Sequence, residues 1–102
     1  MALDLPTLET RLRTLAVTTP TKVPGRYRLR VDALDLYLAP SVLRRYANDA
    51  VDCTVEVSAA NLDKIVENPN AVMTLYITSK LKVSNLLFGQ KLGAVLSVAL
   101  KG

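Results

Sequence analysis

No histidine occurs anywhere in the 102 residues, which removes the commonest general base, metal ligand and member of hydrolytic triads. The single cysteine, Cys53, can close no intramolecular disulfide and assemble no zinc site. A reducing, cytoplasmic setting is the economical reading. Tryptophan is also missing, leaving four Tyr and one Phe as the rings available for stacking on bases or sugars. The four glycines form neither a G-x-x-x-x-G-K-[ST] nor a G-x-G-x-x-G pattern, so nucleotide chemistry has no support. The most apolar stretch, Leu86 to Leu100, is shorter than a bilayer span and is interrupted by Gln90 and Lys91. Met1 to Leu15 carries Asp4, Glu9, Arg11 and Arg13 where a signal peptide needs an apolar run. These absences lead to the expectation of no catalytic centre, no metal and no cofactor.

What the chain does have is apolar bulk. Half its residues are hydrophobic and 22% are charged, a balance that supports one folded domain over residues 1–102 with an interior built mainly of Leu, Val and Ala. The net charge of +4 raises an anionic partner such as a membrane surface. Arg26, Arg28 and Arg30 alternate with Tyr27, Leu29 and Val31, which on a strand places the guanidiniums on one face. Together with Arg44 and Arg45 they are the candidates for transient contact with anionic head groups; a solvated strand face is the plainer reading. Tyr27 is the only ring among them, so no specific nucleic-acid platform is expected.

Periodicity sets out the elements. Leu5, Leu8, Leu12 and Leu15 predict an amphipathic helix capped by Asp4, with Pro6 in its first turn. Thr18 to Gly25 is a connector containing Pro20 and Pro24. A period of two then begins at Gly25 and continues through Asp35 to Ala39, which Pro40 closes. Ser41 to Ala47 fits a strand or one helical turn, and context favours the strand. Cys53, Val55 and Val57 alternate with Asp52, Thr54, Glu56 and Ser58 as a half-buried strand. Ser58 caps a helix through Asn68 whose buried stripe is Leu62, Ile65 and Val66. Ala71 to Ile77 fits helix or strand equally. Lys80 to Ser84 alternates again, with Leu81 and Val83 inward, before a final helix marked by Leu87, Phe88, Leu92, Val95, Leu96 and Ala99.

Two local features invite chemistry. Asp32 and Asp35 form a possible carboxylate pair, although their place near a strand turn favours capping. Gly89, Gly93 and Ser97 make a stripe of small residues on the last helix, a groove to be filled by another element of the fold, by a ligand or by a partner.

From Asp52 onward the chain resembles a known family. D-C-T-V-E-V-S at 52–58 is similar to the fourth strand of sterol carrier protein type two domains. Asn61-Leu62-Asp63-Lys64-Ile65 resembles the short helix after it, Pro69-Asn70-Ala71 the following turn, and Lys80-Leu81-Lys82-Val83 the family's G-K-L-K strand. Leu86 to Leu100 takes the place of the C-terminal helix. Ser79 stands where the family often has glycine, Asn85 where a glycine turn is frequent, and the usual tryptophan of the second strand is missing. The resemblance implies an α+β fold, a mostly antiparallel sheet of about five strands with helices on one face. It further implies binding or transfer of a sterol, fatty acid, acyl-coenzyme A, phospholipid or quinone-like lipid. The expected pocket is lined by Leu81, Val83, Leu87, Phe88, Leu92, Val95 and Leu96. The alternative is an interaction module, accessory to a lipid or quinone biosynthetic enzyme or forming a homodimer, that uses the last helix and its small stripe.

Overall fold

A computed structural model describes residues 4–101, without the side chains of Ala99 and Lys101. The element order is α1 (Leu5–Thr18), a 3-10 turn (Pro20–Lys22), β1 (Tyr27–Val31), β2 (Leu34–Ala39), β3 (Val42–Arg45), β4 (Cys53–Val57), α2 (Ala59–Glu67), α3 (Ala71–Ile77), β5 (Leu81–Val83) and α4 (Leu86–Lys101). The architecture is α+β, as expected: a five-stranded sheet in the order β3-β2-β1-β4-β5. Only β1 and β4 run parallel, and their connection carries the chain across the sheet.

The turns follow from their residues. Pro40 and Ser41 join β2 to β3, and Ser41 adopts φ 66, the arrangement of a type II turn with proline first and a left-handed residue second. The Ser41 amide donates to the Ala16 carbonyl at 2.9 Å, which seats the end of α1 on this hairpin. Asp32, also left-handed at φ 51, forms the β1–β2 turn, and its carboxylate accepts from the Ala59 amide at the start of α2. Asp32 is therefore a capping residue. Asp35 is separated from it and pairs with Arg28.

Helix starts are set by side chains. Asp4 accepts from the Thr7 amide and Ser58 from the Asn61 amide, each satisfying a donor that the first turn leaves unpaired. Asn85 serves α4 in the same way, accepting from the Phe88 amide at 3.3 Å, which accounts for asparagine at that position. The D-C-T segment holds strands together. The Asp52 carboxylate accepts from the Arg26 amide, Cys53 is fully buried with its thiol toward the Asn85 carbonyl, and the Thr54 amide donates to Ser84 Oγ.

The helices cover one face of the sheet. Leu8, Leu12 and Leu15 of α1 meet Leu29, Leu36 and Leu38 of the sheet, Leu62 and Ile65 of α2, and Leu92 and Leu96 of α4 in one continuous core. Tyr27 is buried in it, with its hydroxyl donating to the Phe88 carbonyl at 2.9 Å and its ring edge-on to Phe88. Burial and the nearby Cys53 and Asp52 hold its phenol protonated far above the usual tyrosine range.

Candidate functional site

A roomy concavity lies where α1 and α4 diverge. Arg11, Thr14, Leu15 and Thr18 of α1 form one wall, Ala94, Val95 and Val98 of α4 the other, and Thr19 and Lys22 close one end. Its volume, about 730 Å³, lies inside the range of small-molecule sites. The wall is more apolar than its residue names suggest. The Thr14 hydroxyl donates to the Thr10 carbonyl and the Thr19 hydroxyl to the Leu15 carbonyl, so both are engaged by their own helix. Arg11 donates to the Leu100 carbonyl at 2.9 Å, tying α1 to the last turn of α4. Among the described residues, two cations and no carboxylate line the groove.

The residues expected from the sequence to form the pocket are divided by α4. Leu81, Val83, Leu92 and Leu96 surround a second space on the core side of the helix, together with Leu29 and Val55. That space holds only about 10 Å³, the room of a single water. Val95 faces the α1–α4 groove. Phe88 packs on Tyr27, and Leu87, 59% exposed, lines neither space. Arg11, Thr14, Thr18, Lys22, Ala94 and Val98 escape a reading of the sequence, because a groove between helices far apart in the chain leaves no mark on either local period. The one available signal is the run of threonines, Thr14, Thr18 and Thr19, beside Leu15 at the end of α1.

The small stripe is filled from within, which corrects its reading as a contact for a partner. A Cβ on Gly89 would stand 2.6 Å from Val83 Cγ2, and one on Gly93 would stand 2.7 Å from Val72 Cγ2. Ser97 is 7% exposed and donates to the Val66 carbonyl at 2.7 Å. These positions are small because α2, α3 and β5 press against them, so no surface remains there for a second copy.

The outer face of the sheet is a ladder of paired charges. Arg28 binds Asp35 through two hydrogen bonds of 3.0 and 2.8 Å, Arg30 reaches Glu56 at 2.7 Å, and Arg44 grips Asp49. Arg26 lies just before β1, not within it, and holds Asp52. Arg28 also covers the Tyr46 ring, and Arg44 the Tyr37 ring. Four of the five arginines considered for a membrane surface are thus neutralised in place.

The hydrogen bonds from Arg28 and Arg44 hold the pKa values of Asp35 and Asp49 below the usual carboxylate range, and the Arg26 amide does the same for Asp52. A depressed folded-state value stabilises above the unfolded value near pH 4 and is lost as pH falls further. With no histidine to titrate, thermal midpoints are expected to stay level between about pH 5 and 8 and to fall below about pH 4. Asp52→Asn should flatten that acid limb. A wild-type midpoint already dropping at pH 6 would contradict the assignment.

Among the described residues no helix is long and apolar enough to cross a membrane. No protein-family model and no curated protein matches the sequence. Solved structures do match the fold. A UbiJ-SCP2 ubiquinone synthesis protein superposes with a TM-score of 0.71 at 21% identity, over 95% of this chain and 91% of that one. Sterol Carrier Protein 2 from Yarrowia lipolytica, in its apo form, gives 0.69 at 15% identity over 93% and 91%. The sterol carrier protein domain 2 of Helicoverpa armigera gives 0.65 at 14% identity over 100% and 96%. This chain has the fold of sterol carrier protein type two domains.

Proposed function

We propose that this chain binds and carries an apolar molecule, with the groove between α1 and α4 as its seat. The observation that carries the reading is the size of that groove together with its wall of Leu15, Ala94, Val95 and Val98. Burial of ligand hydrocarbon supplies the affinity, at roughly 25 cal/mol per Å² removed from water. The cations Arg11 and Lys22 favour a lipid whose polar end accepts hydrogen bonds, as an acyl carboxylate or a quinone carbonyl does. Structural neighbours described as sterol carrier proteins and as a ubiquinone synthesis protein fit cargo of this kind. Of the residues expected from the sequence, Val95 stands on the groove side and Phe88 and Leu87 at the start of the helix, whereas Leu81, Val83, Leu92 and Leu96 would meet a ligand only if α4 moved, because the space behind it holds about 10 Å³.

Native mass spectrometry of the purified protein and titration with a fluorescent fatty acid and a prenylated quinone test the reading. A bound lipid is expected, or saturable uptake at one site. Ala94→Trp, an exposed position on the groove wall, is expected to weaken uptake by about tenfold or more while leaving the thermal midpoint within a few degrees. Protein that emerges ligand-free and takes up neither probe sinks the proposal, and uptake unaffected by Ala94→Trp moves the ligand out of the groove.

A further inference from the structure

Helix α3 carries an exposed apolar ridge beside a hollow lined by cations. Met73, Tyr76 and Ile77 follow the i, i+3, i+4 spacing of one helix face, turned away from the buried Val72 and Leu75. Ile77 stands at the apex, 72% exposed. Tyr76 brings an apolar ring with a polar tip, the combination that settles between hydrocarbon and water. On the other flank of the same helix is a hollow of about 320 Å³, whose lining includes Lys64, Lys80, Asn68, Asn70, Thr74 and Thr78 and contains no carboxylate. Neither lysine enters an ion pair among the described residues, whereas four of the five arginines considered on the sheet side are matched by carboxylates.

We propose that this edge, the ridge of α3 with its lysine hollow, is the surface by which the protein sits on an anionic phospholipid bilayer. The two features answer the two layers of such a surface. Ile77, Met73 and Tyr76 enter the boundary of the acyl chains, while Lys64 and Lys80 meet phosphates with amide and hydroxyl donors beside them. A protein partner would be expected to answer the ridge with its own apolar face and would leave the two lysines of the hollow without a purpose. An anionic lipid surface matches both at once.

Because the chain has no tryptophan, Ile77→Trp makes a single fluorescent reporter at the apex. The expected result with vesicles of equimolar phosphatidylcholine and phosphatidylglycerol is a blue shift and co-sedimentation, both weakened when salt rises from about 0.1 M to about 1 M. Vesicles of phosphatidylcholine alone should bind far less. In the otherwise unchanged chain, Met73→Ser with Ile77→Ser, and separately Lys64→Gln with Lys80→Gln, should each lower partitioning to the anionic vesicles by about tenfold, with the fold checked by circular dichroism. Both pairs lie at exposed or partly exposed positions, and the lysine pair leaves the ridge intact should the serine pair perturb α3. Wild-type protein that ignores anionic vesicles overturns the proposal, as does binding that neither pair alters. A lipid-free dimer that the serine pair converts to monomer also overturns it, by assigning the ridge to a second copy.

Discussion

Leu96→Ala is expected to lower the free energy of unfolding by about 3 kcal/mol and the thermal midpoint by on the order of 10–20 °C, read by circular dichroism. Leu96 is almost wholly buried on the core side of α4, where Leu92, Leu29 and Val55 already pack with little space to spare. The sheet below and α2 beside it limit how far the surroundings can collapse into the vacated volume, so the cavity cost adds to the lost transfer energy. Val98, two residues on and 74% exposed, supplies the comparison: Val98→Ala should change stability by no more than about 0.5 kcal/mol. A loss below about 1 kcal/mol for Leu96→Ala would mean that α4 does not pack on the sheet as described. The comparison also bears on ligand, since Val98 lines the groove and Leu96 lies behind it. Truncation at the exposed site should weaken uptake without a stability cost.

Most of the fold is legible because its elements obey local rules. Cys53, Val55 and Val57 alternate and are buried, and Leu8, Leu12 and Leu15 recur at helical spacing and are buried. Ala71 to Ile77 is ambiguous in the sequence for a physical reason. Its buried residues, Val72 and Leu75, are outnumbered by the exposed apolar Met73, Tyr76 and Ile77, so no polar face marks the helix. The same surplus on α4 pointed toward a pocket, yet it is spent in three directions: Leu92 and Leu96 into the core, Val95 into the groove, Leu87 into solvent. Which direction each takes depends on where α1, α2 and α3 settle around α4, a tertiary fact without a local period. Ser79, which stands where the resembled motif often has glycine, adopts φ 61, the conformation glycine accepts most easily, in the turn before Leu81.

Gly93→Leu is the second large effect. Leucine gains helix propensity over glycine, close to 1 kcal/mol, but its Cβ alone would stand 2.7 Å from Val72 Cγ2 and 3.4 Å from Ile65 Cγ2. Both neighbours are branched at Cβ and buried, so neither can rotate its methyl aside cheaply. Overpacking of this kind costs about 1–3 kcal/mol or more, and a net loss of about 2 kcal/mol is expected in urea denaturation. Relief would come from α4 moving off α2 and α3, which is toward α1 and into the groove. Gly93→Leu is therefore expected to weaken lipid uptake at temperatures where the protein remains folded. Combining Gly93→Ala with Val72→Ala separates crowding from propensity: if the Val72 methyl is the obstacle, the double variant is more stable than the two single changes predict by about 0.5–2 kcal/mol. Strict additivity would show that the glycine is not there to admit Val72, and that the position of α4 beside the groove is set elsewhere.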